Sequence, residues 1–204
     1  MFAQDRLSVI SKACVPYLPM HWLMAVLAML AISWSDFSSA DDSGEFQVED
    51  AHAWSEAGMQ MLDARFVIQL SSGAREALEN GVPIVLELHV QLVKTHKWFW
   101  DSVEVDLTLR RQLEYHALSR SYLVKNLNTG TQSNYRRLED ALLAAGTIQS
   151  LVLTDEPLQS GRSYIVRIRG SLDIEALPTP VRLLAYVSSA WDMQSEWYAW
   201  QLVR

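Results

Sequence analysis

From Val103 to His116 the chain alternates between two kinds of side chain. Val103, Val105, Leu107, Leu109, Leu113 and Tyr115 occupy the odd positions, with Arg111 the one exception among them, and Glu104, Asp106, Thr108, Arg110, Gln112, Glu114 and His116 the even ones. A period of two sustained this long is the pattern of a β-strand with one face buried and one face wet. Such a strand cannot exist alone. Its backbone donors and acceptors need neighbours on both sides, and its apolar row needs a cover. The following residues, His116-Ala117-Leu118-Ser119-Arg120, suit a five-residue hairpin loop built around a type I turn. A second extended run, Tyr122 to Leu127, then heads back, so this stretch predicts a long antiparallel hairpin.

The other segments supply the pairing and the cover. Phe46 to Trp54 reads as a first strand, and Met59 to Leu70 as a second with Leu62, Ala64, Phe66, Ile68 and Leu70 on its core side. Ser71 or Ser72 can cap a short helix from Gly73 to Asn80, closed by Gly81 and stopped by Pro83. Val82 to Lys94 is a third strand whose core face is Ile84, Leu86, Leu88, Val90 and Leu92, with Glu87, His89 and Gln91 opposite. Trp98-Phe99-Trp100 interrupts the pattern as a bulky corner expected to plug one end of the core.

Asn126 to Gly130 is turn chemistry. Ser133 can then cap a helix from Asn134 to Ala145, with Tyr135, Leu138, Ala141, Leu142 and Ala145 as its apolar stripe and Gly146 at its end. Ile148 to Leu153 and Ser163 to Ile174 read as strands, Val181 to Trp191 suits helix and strand alike, and Trp197 to Leu202 is a closing strand. Strand follows strand without a helical crossover, so the sheet is expected to be antiparallel. The expected fold is mainly β, in the α+β class: a curved antiparallel sheet of about six to eight strands with two short helices. A β-sandwich or a closed barrel is the alternative.

The first forty residues read as an address. Arg6 and Lys12 precede an apolar run from Trp22 to Trp34 that is shorter than the roughly twenty residues of a spanning helix. Ser38 and Ala40 are the small residues of a signal-peptidase site, which places cleavage after Ala40. Residues 1–40 are thus expected to be a signal peptide, or an uncleaved anchor with the same outside topology, and residues 41–204 a single exported, periplasmic domain. Cys14 precedes the apolar run, where a lipoprotein cysteine would follow it, and residues 41–204 contain no cysteine, so no disulfide is expected. The formal net charge of -7 is scattered, which argues against nucleic acid as a partner.

The order of motifs is also distinctive: "NGVP" at Asn80 to Pro83, "YHALSRSYLVKNLNTG" at Tyr115 to Gly130, "LEDAL" at Leu138 to Leu142, "LPTPVRLLAYVSSAW" at Leu177 to Trp191 and "EWYAW" at Glu196 to Trp200. This series resembles the bacterial family called domain of unknown function 4390, over about residues 46 to 202. The resemblance implies an envelope protein of Gram-negative bacteria with an N-terminal signal or anchor, often encoded beside a nitrogen-regulation-type sensor kinase and its response regulator. It brings no catalytic residues to carry over.

The residues themselves offer little chemistry. There is no Gly-rich phosphate loop, no GxSxG elbow and no HExxH helix. His52, His89, His96 and His116 are never spaced to place two ligands on one face, so no metal or cofactor is expected. Glu104 and Asp106 lie two apart on a strand, roughly 7 Å between like-facing groups, which resembles the spacing of a glycosidase pair. As members of a polar row they read more simply as a charged face with Arg110, Arg167 and Arg169 as cross-strand partners. The tryptophans Trp98, Trp100, Trp191, Trp197 and Trp200 are the candidate partner contacts, because Trp concentrates binding energy at interfaces. The expectation is therefore a non-catalytic interaction or signalling-accessory module with an envelope or inner-membrane protein partner, such as a sensor kinase. The alternatives are a carrier of a small hydrophobic ligand or lipid, and an enzyme using Glu104, Asp106, His89 and Arg110.

Overall fold

The computed structural model describes residues 43–96 and 100–202. The expected signal segment and its cleavage site, together with Trp98, lie outside the described residues. Among the described residues nine strands appear in the order β1 (Glu45–Glu56), β2 (Met59–Gln69), β3 (Ile84–Thr95), β4 (Ser102–His116), β5 (Ser121–Asn126), β6 (Gln132–Tyr135), β7 (Thr147–Thr154), β8 (Ser163–Leu172) and β9 (Tyr198–Gln201). Three short helices accompany them: α1 (Ser72–Glu79), α2 (Leu138–Ala145) and α3 (Thr179–Ala185). The described residues fall within one compact unit spanning residues 41–204.

The strands form two antiparallel sheets, one ordered β1-β2-β7 and the other β6-β5-β4-β3-β8-β9. All ladders are antiparallel and neither sheet closes on itself. The expectation of a mainly β, antiparallel fold with short helices holds, and the two-sheet division is the sandwich form of it. Leu62, Phe66 and Ile68 of the narrow sheet and Leu86, Leu88, Val90, Val166 and Ile168 of the wide one share a single buried core. Each belongs to the inward row of an alternating strand, as the period of two requires.

Local chemistry fixes the joints. Ala57 and Gly58 both take positive φ, 53° and 88°, which makes the two-residue turn between β1 and β2. The Ser71 side chain accepts a hydrogen bond from the Ala74 N–H at 3.1 Å and caps α1. Gly146 carries its carbonyl to the Phe66 N–H at 2.9 Å, and a β-carbon there would collide with the Phe66 carbonyl oxygen at 2.6 Å. Close approach therefore requires glycine where α2 meets β2.

Two details differ from the sequence reading, and one that it left open is settled. Asn134 and Tyr135 are not helical: residues 132–135 form β6 on the edge of β5, with Tyr122 opposite Tyr135, and α2 begins only at Leu138. A free strand edge outbids helix propensity there, and the N-cap position falls to Arg137, which makes no side-chain capping bond. The segment that suited helix and strand alike becomes α3 plus a 3-10 turn, Ser189–Trp191. Finally, Trp100 does not plug the core: it is 94% exposed.

The strand that opened the argument is also less buried than its pattern suggests. Only Leu113 in its apolar row is fully buried, while Val105, Leu107 and Leu109 are half-covered and Val103 is exposed. Three strands are too few to roof six.

Candidate functional site

The outer face of the wide sheet carries the densest polar cluster. Glu87, His89 and Gln91 of β3 stand between Arg110, Thr108 and Asp106 of β4 and Ser171, Arg169 and Arg167 of β8. Arg110 Nε lies 3.0 Å from Glu87 Oε1, and its NH2 group also bonds the Asp173 carboxylate. His89 Nδ1 is 3.2 Å from Thr108 Oγ1, and its Nε2 is 3.4 Å from both Ser171 Oγ and Glu87 Oε2. Gln91 donates to Asp106 at 3.0 Å and accepts from Arg167 Nε at 2.6 Å. Donors face acceptors across each pair, as in a sheet stabilised by cross-strand contacts.

The two carboxylates with glycosidase spacing belong to separate pairs in this network. Glu104 accepts from Ser102 Oγ at 2.7 Å and lies 3.8 Å from Lys94 Nζ, whereas Asp106 is held by Gln91. The arginines expected opposite them stand instead opposite Glu87, His89 and Gln91. Among the described residues no group of three or more His, Cys, Asp or Glu could hold a metal ion.

The candidate tryptophans do not form one patch. Trp191 is buried in the core beneath α1. Trp197 is clasped on the outer face, with the guanidinium carbons of Arg167 and Arg169 each 4.9 Å from its ring centroid. Trp200 is half-buried opposite Val166, 5.6 Å from the Tyr198 ring. Trp100 alone of the described four stands free, on the loop between β3 and β4.

The remaining strongly exposed apolar residues gather at the opposite end of the wide sheet. Leu118 at the tip of the β4–β5 hairpin is fully exposed, and Leu183, Leu184, Tyr186 and Val187 on and after α3 are 58–84% exposed. The ends are fixed by register: Ile84 opens β3 opposite Leu113, and Val85 accepts a hydrogen bond from the Asp173 N–H, so the β4–β5 tip and α3 both follow from this end. Sequence reading passed over Leu118 as turn material. Adjacent Leu183 and Leu184 did carry a signal, because neighbouring residues on a helix point about 100° apart and cannot both sit at the centre of one buried stripe.

Two of the recesses among the described residues border the helices and the core side of β4. One of about 440 Å³ lies against β2, α1 and α2, lined by Phe66, Ile68, Leu70, Leu142, Arg75 and Glu139. The other, about 160 Å³, is lined by Arg111, Asn126, Ser133, Tyr135 and Thr147. Arg111 points to the core side of β4, where burial lowers its guanidinium pKa. Among the described residues, no helix is long and apolar enough to cross a membrane.

A family model described as domain of unknown function (DUF4390) matches residues 43–201. No curated protein and no solved structure matches the chain.

Proposed function

The chain belongs to this family of unknown function, and from its geometry we propose a non-catalytic interaction module of the bacterial envelope that docks a membrane-bound protein partner through Trp100. The observation that carries this reading is the 94% exposure of the Trp100 indole at the far end of the two longest paired strands of the wide sheet. Those strands share eleven register pairs, from Ile84 opposite Leu113 to Lys94 opposite Ser102, so the loop has a stiff base. A large aromatic side chain exposed to water is a candidate contact, and Trp is a residue type enriched among interface anchors. An inner-membrane sensor kinase is the partner class this reading favours.

The test is site-specific photo-cross-linking in cells, with the reactive side chain at position 100 of the full chain and a control at Glu56, the exposed last residue of β1. A single envelope protein attached from position 100, lost in Trp100→Glu, is the expected result. Equal labelling from both positions would sink the reading.

The apolar recess against β2 favours a second reading, a carrier of a small hydrophobic ligand. Between the sheets Leu62, Phe66, Leu86, Leu88 and Ile168 already fill the space, each no more than 1% exposed, so a ligand would occupy that recess. Native mass spectrometry of the purified full chain distinguishes the two: a lipid-sized adduct supports the carrier, and a bare chain removes it.

A further inference from the structure

β4, β5 and β6 bring a polar row together on the core side of the wide sheet. Arg111 on β4 stands directly opposite Asn126 on β5, and the Asn126 N–H donates to the Thr131 carbonyl at 2.8 Å. Two residues along β4, Leu113 stands opposite Val124, and Val124 stands opposite Ser133. Residues directly opposite in antiparallel strands point to the same face, as do residues two apart on one strand. Leu113 is fully buried in the core, so Arg111, Asn126 and Ser133 share its side of the sheet. They line the recess of about 160 Å³, and Ala144 of α2 and Thr147 of β7 complete its lining.

That recess holds one charge. Arg111 is its cation, and no Asp or Glu lines it. The guanidinium makes a single hydrogen bond among those described, a long one of 3.5 Å to the Arg110 carbonyl. Burial holds its pKa below the ordinary value. The helix end beside it makes no claim on the guanidinium either. The Leu142 carbonyl accepts from the Gly146 N–H at 2.8 Å, and the Leu143 carbonyl from the Thr147 hydroxyl at 2.6 Å. Asn126 Oδ1 accepts from the Asn128 and Thr129 N–H groups at 3.0 and 3.2 Å, which leaves its amide N–H groups to donate elsewhere. Ser133 adds a hydroxyl to the same lining.

We propose that this recess binds the carboxylate group of a small organic acid, gripped by the Arg111 guanidinium with the Asn126 amide and the Ser133 hydroxyl as flanking donors. A half-buried guanidinium is costly for a fold that gives it no counter-charge. A carboxylate supplies that charge, in the planar two-oxygen geometry that the guanidinium fork matches. One cation balances one negative charge, whereas a phosphate monoester carries nearly two at neutral pH, so the lining favours the carboxylate. A ligand there touches β4, β5 and β6 of the wide sheet and β7 of the narrow one, and is therefore expected to stabilise the folded domain. The site is independent of the partner assigned to Trp100 and of the apolar recess against β2.

The experiment uses the purified full chain, with acetate as the probe. Thermal melts at neutral pH compare sodium acetate with sodium chloride at matched ionic strength. A saturable rise in Tm of at least about 2 °C is expected for the unaltered chain, and none for Arg111→Met. NMR of the unaltered chain gives a readout that needs no variant to fold: the Arg111 Nε–H and Asn126 side-chain amide signals should both move with acetate, along one binding curve. An equal rise in Tm for both proteins is a general salt effect and overturns the proposal. So does an acetate titration that leaves both signals where they were. A response of these groups to inorganic phosphate with none to acetate also overturns it, since the site would then take a different class of anion.

Discussion

The ring of Phe46 on β1 lies against the backbone of Gly170 on β8, in the space a β-carbon would fill. This contact sets how closely the two sheets approach along one side of the sandwich. Phe46 is 2% exposed, so it has little room to retreat. Gly170→Ala is expected to destabilise the domain by about 1–3 kcal/mol, the usual cost of forcing volume into a packed core, read as a shift in urea midpoint. Combining it with Phe46→Leu should recover part of that loss, with a coupling above about 0.5 kcal/mol. Strict additivity would show that the ring and the glycine are not the contact that matters.

Asn128 does the work of a missing strand. Its side-chain oxygen accepts from the Arg110 N–H at 2.7 Å, and its amide donates to the Thr108 carbonyl at 2.9 Å, where β5 no longer covers β4. Asn128→Ala is expected to cost about 1 kcal/mol and to speed hydrogen exchange at the Arg110 amide. Asn128→Asp keeps the acceptor but loses the donor and sets a charge against a carbonyl, so it should not rescue. Unchanged exchange at Arg110 in both variants would refute the bridge.

How much of this was legible beforehand depends on the kind of signal involved. The inward rows of β2, β3 and β8 follow from period-two alternation alone, and each predicted core residue from Leu62 to Leu70 and from Ile84 to Leu92 is buried. The Ser71 cap and the Gly81 terminus, with φ 82°, follow from helix-end chemistry. Pairing partners are different. Whether Gln132 to Tyr135 extends an edge or begins a helix depends on a strand elsewhere offering free donors, and no local pattern records that. The Asn128 bridge has the same origin: the sequence shows a turn residue, and only the register of β4 against β5 gives it an edge to close. Exposure of Trp100 was hidden for a related reason, since a bulky corner residue becomes a plug only if the loop folds inward.

Arg111 occupies the core-facing row of β4 between Leu109 and Leu113, and burial lowers its pKa. Its one hydrogen bond among those described is a long one, 3.5 Å from NH1 to the Arg110 carbonyl. The carboxylates on this strand point the other way, and none lines the recess around it. A desolvated cation with so little return is a poor use of a core-side position. Arg111→Met is therefore expected to raise stability by about 1 kcal/mol, an upward shift in Tm of roughly 2–4 °C for a domain of this size. A loss of stability instead would mean that the guanidinium is making interactions beyond that single bond.

Glu139 makes the opposite case, a charge placed where the fold can use it. The N-cap position of α2 falls on Arg137, which offers no side-chain acceptor, so the helix start relies on the acidic residues of its first turn, Glu139 and Asp140. A hydrogen bond from its own backbone N–H holds the Glu139 carboxyl pKa below its ordinary value, and Arg137, 3.4 Å away, adds to the effect. A carboxylate lowered in this way contributes stability above its unfolded pKa and loses it as the pH falls through the lower, folded value. Glu139→Gln should thus lower Tm at pH 7, by a small amount because the group is exposed and screened. Below the folded pKa both chains carry a neutral group at this position, and the difference should vanish. Thermal melts of the two proteins from pH 7 down into the acid range measure this directly. A gap that stays constant across the range would mean that Glu139 supports α2 through packing and not through its charge.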